Sequence, residues 1–429
     1  GGDKVRICGC FDVEFIKVSH SISGAFALSI GTPVGKVFHT GDYKIDYTPI
    51  DGQVMDLTRI AEIGDGGVTL MLGESTNVEK PGTTISERKV GETLESVFIT
   101  NPDERIIIAT FASNVNRLQQ IINICERHKR KIVFNGRSMV NISQMAMQLD
   151  ILKAKPDTII QPEEMHKHPA NKICLITTGS QGEPMSALTR MASGDDKIQV
   201  GKKDIVVISS QPIPGNEKLV YTVINNLYRC GAKVLYGALS DLHVSGHACQ
   251  DELKLMLALV KPKFFIPVHG EYRHLRQHEE LAVKMGVKQS NIALAEIGSC
   301  YKLTKNSLKQ CESIEAGNVY VDGLTDVDSE ILRDRKLLSN EGMLSVLITI
   351  SLAESQMSAP PEIIARGIQF DEMSIEEMKA SVSELLQSKP YKSADDRANF
   401  KRKVKRTLTR YMDNKFRQKP MILPIVIEV

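Results

Sequence analysis

The feature that most constrains this chain is an alternation that begins near Ser86 and runs to residue 238. Apolar strand-like runs at Arg105 to Ala109, Lys131 to Phe134, Ile173 to Thr177, Ile205 to Ser209 and Lys233 to Tyr236 take turns with amphipathic stretches. Those stretches are Asn114 to His128, Met139 to Lys153 and Leu219 to Tyr228. Strands alternating with helices produce a parallel sheet with helices packed on it, so an α/β layer is expected here.

The flanks read differently. Residues 15–48 alternate apolar and polar positions around Gly-rich turns, as in Phe26-Ala27-Leu28-Ser29-Ile30, which predicts paired antiparallel strands. Val68 to Leu72 reads as a more buried strand. Residues 240–304 give a helix (Gln250 to Val260), a strand (Phe264 to Val268) and a helix (Tyr272 to Met285), as though the first domain resumes after an insertion. A last unit carries strand-like Leu344 to Ser351, charged amphipathic helices at Ser374 to Gln387 and Ala394 to Phe416, and an apolar end at Met421 to Val429, with no cluster of catalytic residue types. The expected division is 1–85, 86–238, 239–305, a linker at 306–318, and 319–429. A length of 429 residues suits two or three domains.

Hydrophobic content of 42%, charged content of 25% and no run of eighteen apolar residues describe a globular, cytoplasmic protein without a membrane span. The net charge of +2 leaves no global basic footprint, so nucleic-acid binding would need a local groove. The eight cysteines are scattered and read as reduced, buried thiols, and Cys8-Gly-Cys10 lacks the second pair a zinc site would need.

Three segments concentrate metal-ligand residue types at strand ends or Gly turns: Val18-Ser19-His20-Ser21, His39-Thr40-Gly41-Asp42-Tyr43 and Pro267-Val268-His269-Gly270-Glu271. Histidine and aspartate suit a hydrolytic zinc or manganese site, where an aspartate can bridge two ions. Taken singly, each histidine is equally a satisfied residue beside a strand. Asp241-Leu242-His243-Val244-Ser245-Gly246-His247 places hydroxyl and imidazoles directly before a helix, an arrangement that can hold a phosphate; the alternative is a capped turn with exposed histidines. Thr177 to Glu183, with its Gly179-Ser180-Gln181-Gly182, and Ser209 to Glu217 are polar turns that can follow a nucleic-acid backbone or simply join strand to helix.

The ordered series His20, His39-Thr-Gly-Asp42-Tyr-Lys-Ile-Asp46, Gly73-Glu74-Ser-Thr-Asn77, Thr110-Phe-Ala-Ser-Asn114, Gly136-Arg-Ser-Met139, Thr178-Gly-Ser-Gln-Gly-Glu-Pro184, Pro214-Gly-Asn-Glu217, His243-Val-Ser-Gly-His247 and Pro267-Val-His-Gly-Glu-Tyr-Arg273 resembles the ribonuclease J family. The resemblance implies an α/β fold: an incomplete metallo-β-lactamase αββα sandwich with an inserted β-CASP domain and a small α+β C-terminal domain that supports dimer contacts. It implies two divalent ions, zinc or manganese, with His20 a ligand of the first, Asp42 bridging both and His269 a ligand of the second. Glu74 would hold the site from behind, and His247 would face the scissile phosphate as general acid. His243, Ser245 and Gly246 would form a phosphate pocket, and Ser180, Gln181 and Gly182 would line the RNA channel. The implied partner is single-stranded RNA, and the implied assembly is a homodimer or homotetramer, possibly with a paralogue. Two-metal hydrolysis would run 5′-to-3′ with some endonucleolytic cleavage, in mRNA decay and rRNA maturation.

One part of the family pattern is missing from these residues. The His-x-His-x-Asp-His loop, which supplies two ligands to each metal, is not in the chain, and His166-Lys167-His168 lies on a polar stretch that reads as an exposed loop. The chain opens Gly1-Gly2-Asp3 without a methionine, and is expected not to begin where its gene begins. With two protein ligands per ion instead of three, the 429 residues alone are expected to be inactive, and missing strands should expose apolar faces and strand edges. A non-catalytic RNA-binding or assembly subunit, and a β-CASP nuclease acting on DNA, are the alternatives.

Overall fold

The structure is a computed structural model that describes the chain except residues 214, 238–241, 324, 352–355 and 388–393. Pro214 and Asp241, each part of a motif read above, lie outside the described residues. The chain divides into two units, Gly1–Glu315 and Ala316–Val429.

The first unit begins with four antiparallel strands, β1 (Lys4–Ile7), β2 (Phe11–Lys17), β3 (Phe26–Thr32) and β4 (Gly35–His39). Helix α1 (Leu57–Asp65) then crosses over to β5 (Leu70–Glu74), which pairs parallel to β4. The expected strands of residues 15–48 are present. β1 forms the edge of this sheet, with Val5, Ile7 and Phe11 exposed along it.

From α2 (Glu87–Thr100) the chain enters the alternating region: β6 (Arg105–Ala109), α3 (Val115–Arg127), β7 (Lys131–Asn135), α4 (Arg137–Gln148), β8 (Ile173–Thr177), α5 (Ala187–Ser193), β9 (Asp204–Ile208), α6 (Glu217–Arg229) and β10 (Lys233–Tyr236). The strands form a fully parallel sheet in the order β10-β9-β6-β8-β7. Apolar residues of α2, α3 and α4 cover one face and those of α5 and α6 the other, which is why these strands read as unbroken apolar runs. α4 stops at Gln148 rather than at Lys153; just beyond it Asp150 takes a left-handed φ of 55° that a helix cannot continue through.

The chain then returns to the first sheet through α7 (Gln250–Val260), β11 (Phe264–Val268), α8 (Tyr272–Lys284) and a hairpin of β12 (Tyr301–Leu303) and β13 (Leu308–Gln310). β11 pairs parallel to β5, completing the order β1-β2-β3-β4-β5-β11. α1, α7 and α8 bury one face of this sheet around Phe38, Met71 and Phe265.

In the second unit a hairpin of β14 (Tyr320–Asp322) and β15 (Thr325–Val327) leads to α9 (Ser329–Glu341), β16 (Met343–Ser351), β17 (Gln356–Met357), β18 (Glu362–Arg366), α10 (Glu372–Gln387), α11 (Ala394–Phe416) and β19 (Met421–Glu428). β16 pairs antiparallel to β17 and β18 and parallel to β19. Alternate residues of β16, Leu344, Val346, Ile348 and Ile350, are buried against Met378, Val382, Val404, Leu408 and Met412 of α10 and α11.

Mixed parallel and antiparallel sheets make this an α/β protein. Among the described residues no helix is long and apolar enough to cross a membrane. All eight cysteines are free, but the expectation of burial holds only for Cys125, Cys174 and Cys249. Cys8 and Cys10 are exposed in the edge turn between β1 and β2, and Cys311 is exposed just past β13.

Candidate metal centre and phosphate site

The parallel register β4–β5–β11 sets His39 beside Leu72 and Glu74 beside Val268, so three strands end at one edge. Residues just past the carboxyl ends of parallel strands converge, and here these are Thr40-Gly41-Asp42, Ser75 and His269. The turn after β4 needs glycine: Gly41 has φ +59°, and a Cβ there would lie 2.5 Å from the Phe26 carbonyl oxygen. His269 also takes a left-handed φ, 57°, and is fixed by the Thr76 hydroxyl, which donates to its carbonyl at 3.2 Å. Strained backbone at a non-glycine residue persists only where its surroundings enforce it.

His20 follows β2, and its neighbour Ser19 bridges to Lys44, so the segment after β2 lies against the Asp42 turn. His20 Nδ1 donates to the Gly246 carbonyl at 2.7 Å, which leaves the lone pair on Nε2. Burial lowers its pKa, opposed by the Gly246 hydrogen bond, so the imidazole is held in the neutral form that metals bind. One ligand atom from each of His20, Asp42 and His247 lies within 4.8 Å of the others. His269 Nε2 stands 3.6 Å from the Asp42 carboxylate, and its ring stacks on that of His247 with centroids 5.5 Å apart.

Glu74 is buried. Its Oε1 accepts from Ala248 N at 3.0 Å and its Oε2 from Thr76 N at 2.9 Å, while Oε2 faces His247 Nδ1 at 3.6 Å. That Nδ1 is buried without a hydrogen-bond partner among the described residues. Glu74 therefore joins the His247 segment to the turn after β5 and faces the His247 ring.

Burial alternates strictly from Leu242 to Ala248. Leu242 and Val244 sink into the core beneath α2 and α3, and Ala248 into the core of the first sheet. Alternation in an extended segment puts His243, Ser245 and His247 on the opposite side, toward the site. Ser245 Oγ accepts from Asn77 Nδ2 at 2.7 Å and from His247 N at 3.2 Å, so its own proton is free to be donated. Gly246 admits no side chain, since a Cβ would lie 2.6 Å from the His20 ring.

Two sequence expectations need correction. The start of α7 does not offer a vacant anion site: Cys249 N donates to Glu252 Oε2, Gln250 N to the Lys80 carbonyl and Asp251 N to the Gly82 carbonyl. The chain's own acceptors have taken these amides. Second, Ser180, Gln181 and Gly182 face inward. Gln181 Nε2 donates to the Gln211 carbonyl at 2.9 Å, Gln181 Oε1 accepts from Ile213 N at 2.7 Å, and a Cβ on Gly182 would meet the Leu219 backbone at 2.5 Å. This turn holds the next turn in place. The His166-Lys167-His168 stretch closes a 3-10 helix over Pro162–Lys167, where His166 Nδ1 donates to the Glu163 carbonyl at 2.6 Å.

Other residues that build the site were not assigned a role from the sequence. Asn77 and Thr84 both donate to the His247 carbonyl, at 2.9 and 2.7 Å. Glu252 accepts from Ile45 N, Thr84 N and Cys249 N, tying the Asp42 turn to the His247 segment. Arg117 looks like one more polar position of an amphipathic helix, yet it is fully buried in an ion pair with Glu87. Only the quoted strings Gly73 to Asn77 and His39 to Asp46 pointed near them.

Comparisons with known proteins agree with this architecture. Residues 103–227 match the family model for the ribonuclease J beta-CASP domain, 233–293 that for a Zn-dependent metallo-hydrolase RNA specificity domain, and 330–429 that for the ribonuclease J C-terminal domain. Ribonuclease J2 of Bacillus subtilis is 38% identical over 425 residues, 97% of this chain and 76% of the relative. Ribonuclease J of Mycolicibacterium smegmatis is 39% identical over 424 residues, 98% and 76% respectively. Ribonuclease J of Corynebacterium glutamicum is 39% identical over 426 residues, 98% of this chain but 59% of that longer relative. With that similarity running the length of the chain and the site residues gathered at one sheet edge, the chain belongs to the ribonuclease J family.

Proposed function

We propose that this chain carries residues of a metal-dependent ribonuclease site that hydrolyses phosphodiesters of single-stranded RNA. The observation that carries the reading is the convergence of His20, Asp42 and His247 within 4.8 Å, with His20 tautomerically set by Gly246. A neutral histidine whose far nitrogen is tied to a carbonyl is how proteins prepare a metal ligand. His20 and Asp42 would hold one divalent ion, and Asp42 and His269 a second, zinc or manganese. Such ions, when bound, polarise a phosphoryl oxygen and lower the pKa of water.

The rest of the chemistry belongs to the chain's own groups. His247, which Glu74 faces at Nδ1, is placed as the proposed general acid for the leaving oxygen. His243 and Ser245 donate to phosphate oxygens beside it. Ser180, Gln181 and Gly182 would line the neighbouring wall of the RNA channel, where Gln181 holds the 211–213 turn. The domain limits are proposed as read from the sequence, with the site between the first sheet and the inserted β-CASP layer, and 5′-to-3′ degradation with some endonucleolytic cleavage as the mode of action.

With His247 kept for proton transfer, each ion would draw two ligands from these residues, His20 and Asp42 or Asp42 and His269, fewer than the three usual at a catalytic zinc. The 429-residue chain by itself is therefore proposed to bind RNA and to bind metal weakly, without turnover. Filter binding of 5′-monophosphorylated RNA in EDTA tests the RNA part: retained binding that His243→Ala and Ser245→Ala weaken supports it, and no binding overturns it. Binding that persists while no metal is taken up at any concentration would favour a non-catalytic RNA-binding subunit.

A further inference from the structure

The motif that supplies Asp42 ends in two charged residues, Lys44 and Asp46, that metal chemistry does not use. Both are buried, with Lys44 Nζ 3.6 Å from the Asp46 carboxylate. Asp46 Oδ2 accepts from Ser86 Oγ at 3.0 Å and Glu87 N at 3.1 Å, at the start of α2. Glu87 in turn takes two donors of Arg117, Nε at 2.7 Å and Nη2 at 3.0 Å. The remaining Arg117 nitrogen, Nη1, donates to the Ser209 carbonyl at 2.6 Å and lies 3.4 Å from His243 Nδ1. Two positive and two negative buried groups thus run from the Asp42 turn to His243.

The end of that chain restricts His243. Guanidinium has donors only and does not lose its charge in proteins. A protonated His243 would set an N–H against an N–H and a cation against a cation, and a neutral ring with its proton on Nδ1 would repeat the first fault. The one arrangement that suits the contact has the lone pair on Nδ1 and the proton on Nε2. Lys80 and Lys44 add further positive charge, and burial, the largest influence, acts the same way, so the pKa of His243 falls to about 3. The nearest carboxylate along this path, Glu87, is spent on Arg117.

We propose that Arg117 is a positioning residue that fixes His243 as a neutral imidazole with its proton on Nε2, so that the histidine offers phosphate one hydrogen-bond donor and no charge. The consequence for substrate rests on the reading of His243 as a phosphate contact, whereas the tautomer is a property of the ligand-free protein. Anion affinity at this position then stays level on acidification through the ordinary histidine range.

The test is two-bond proton–nitrogen correlation NMR on the complete 429-residue chain labelled with ¹⁵N-histidine, in EDTA, with His243 assigned by its loss in His243→Gln. The expected spectrum shows an unprotonated Nδ1 and a protonated Nε2 throughout about pH 5 to 8. Arg117→Met alone strands a buried carboxylate, so the companion variant is Glu87→Gln with Arg117→Met, which removes both charges together. There the proton is expected to redistribute between Nδ1 and Nε2, and the His243 midpoint to rise toward the ordinary value. A wild-type His243 that titrates near its ordinary value, a proton on Nδ1, or a double variant with unchanged tautomer and midpoint would each overturn the proposal. Adding adenosine 5′-monophosphate is a separate arm: a shift of the Nε2 signal supports the phosphate reading, and its absence overturns that reading while the pH series still decides the role of Arg117.

Discussion

His20 Nδ1 donates to the Gly246 carbonyl oxygen at 2.7 Å, across 226 positions of chain. The segment that carries His247 thereby sets the tautomer of the first proposed metal ligand, and neither side of the site is oriented without the other. A Cβ at Gly246 would lie 2.6 Å from both Cε1 and Nδ1 of His20. Gly246→Ala is expected to displace that ring and weaken divalent-metal binding about 10- to 100-fold, the usual effect of losing an outer partner. Calorimetric titration with Zn²⁺ reads the loss, and an unchanged affinity would show that the Gly246 contact does not prepare His20.

Glu252 predicts a stability effect. Its buried carboxylate accepts from Ile45 N at 2.7 Å and from Thr84 N and Cys249 N, both at 2.8 Å. Glu252→Ala leaves two buried donors and one half-buried donor without acceptors, at about 1–3 kcal/mol for each buried one, so urea unfolding should show a loss of at least about 2 kcal/mol. Glu252→Gln keeps one acceptor oxygen and should lose less.

His278 predicts a pH dependence. It is fully buried beneath Phe265, its Nδ1 lies 3.0 Å from Ser75 Oγ, and burial lowers its pKa to about 3. The unfolded value is about 6.5. Above it both states are neutral and the stability contribution is complete; below it the unfolded chain binds a proton that the folded chain refuses. Stability should therefore fall as pH drops from about 6.5 toward 3, by about 1.4 kcal/mol per pH unit for this group. His278→Gln retains an amide for Ser75 and should flatten the wild-type slope by that amount between about pH 6 and 4. Equal slopes in chemical denaturation would contradict it.

The alternating region was legible because parallel strands covered on both faces must be apolar throughout: β6 to β10 lie within a residue or so of the runs that announced them. The hairpins β12–β13 and β14–β15, with three-residue strands, have no periodicity to read, and α1 and α2 were missed among polar loops. His20, Asp42, His247 and His269 were legible as residue types and are brought together. Their supports were not, because burial of Arg117 depends on meeting Glu87 thirty positions away, and the role of Glu252 depends on three distant amides. The supposed anion site at α7 failed for the same reason, since the acceptors from Lys80 and Gly82 come from another part of the chain.

The central proposal, that His20, Asp42 and His269 hold divalent metal in these 429 residues but too weakly for turnover, is tested most directly by titrating the purified chain with Mn²⁺ or Zn²⁺ while following a 5′-monophosphorylated RNA. Weak metal binding that Asp42→Asn abolishes, with the RNA left intact, is the predicted result. RNA degradation that His269→Ala abolishes, or metal binding indifferent to Asp42→Asn, would contradict it.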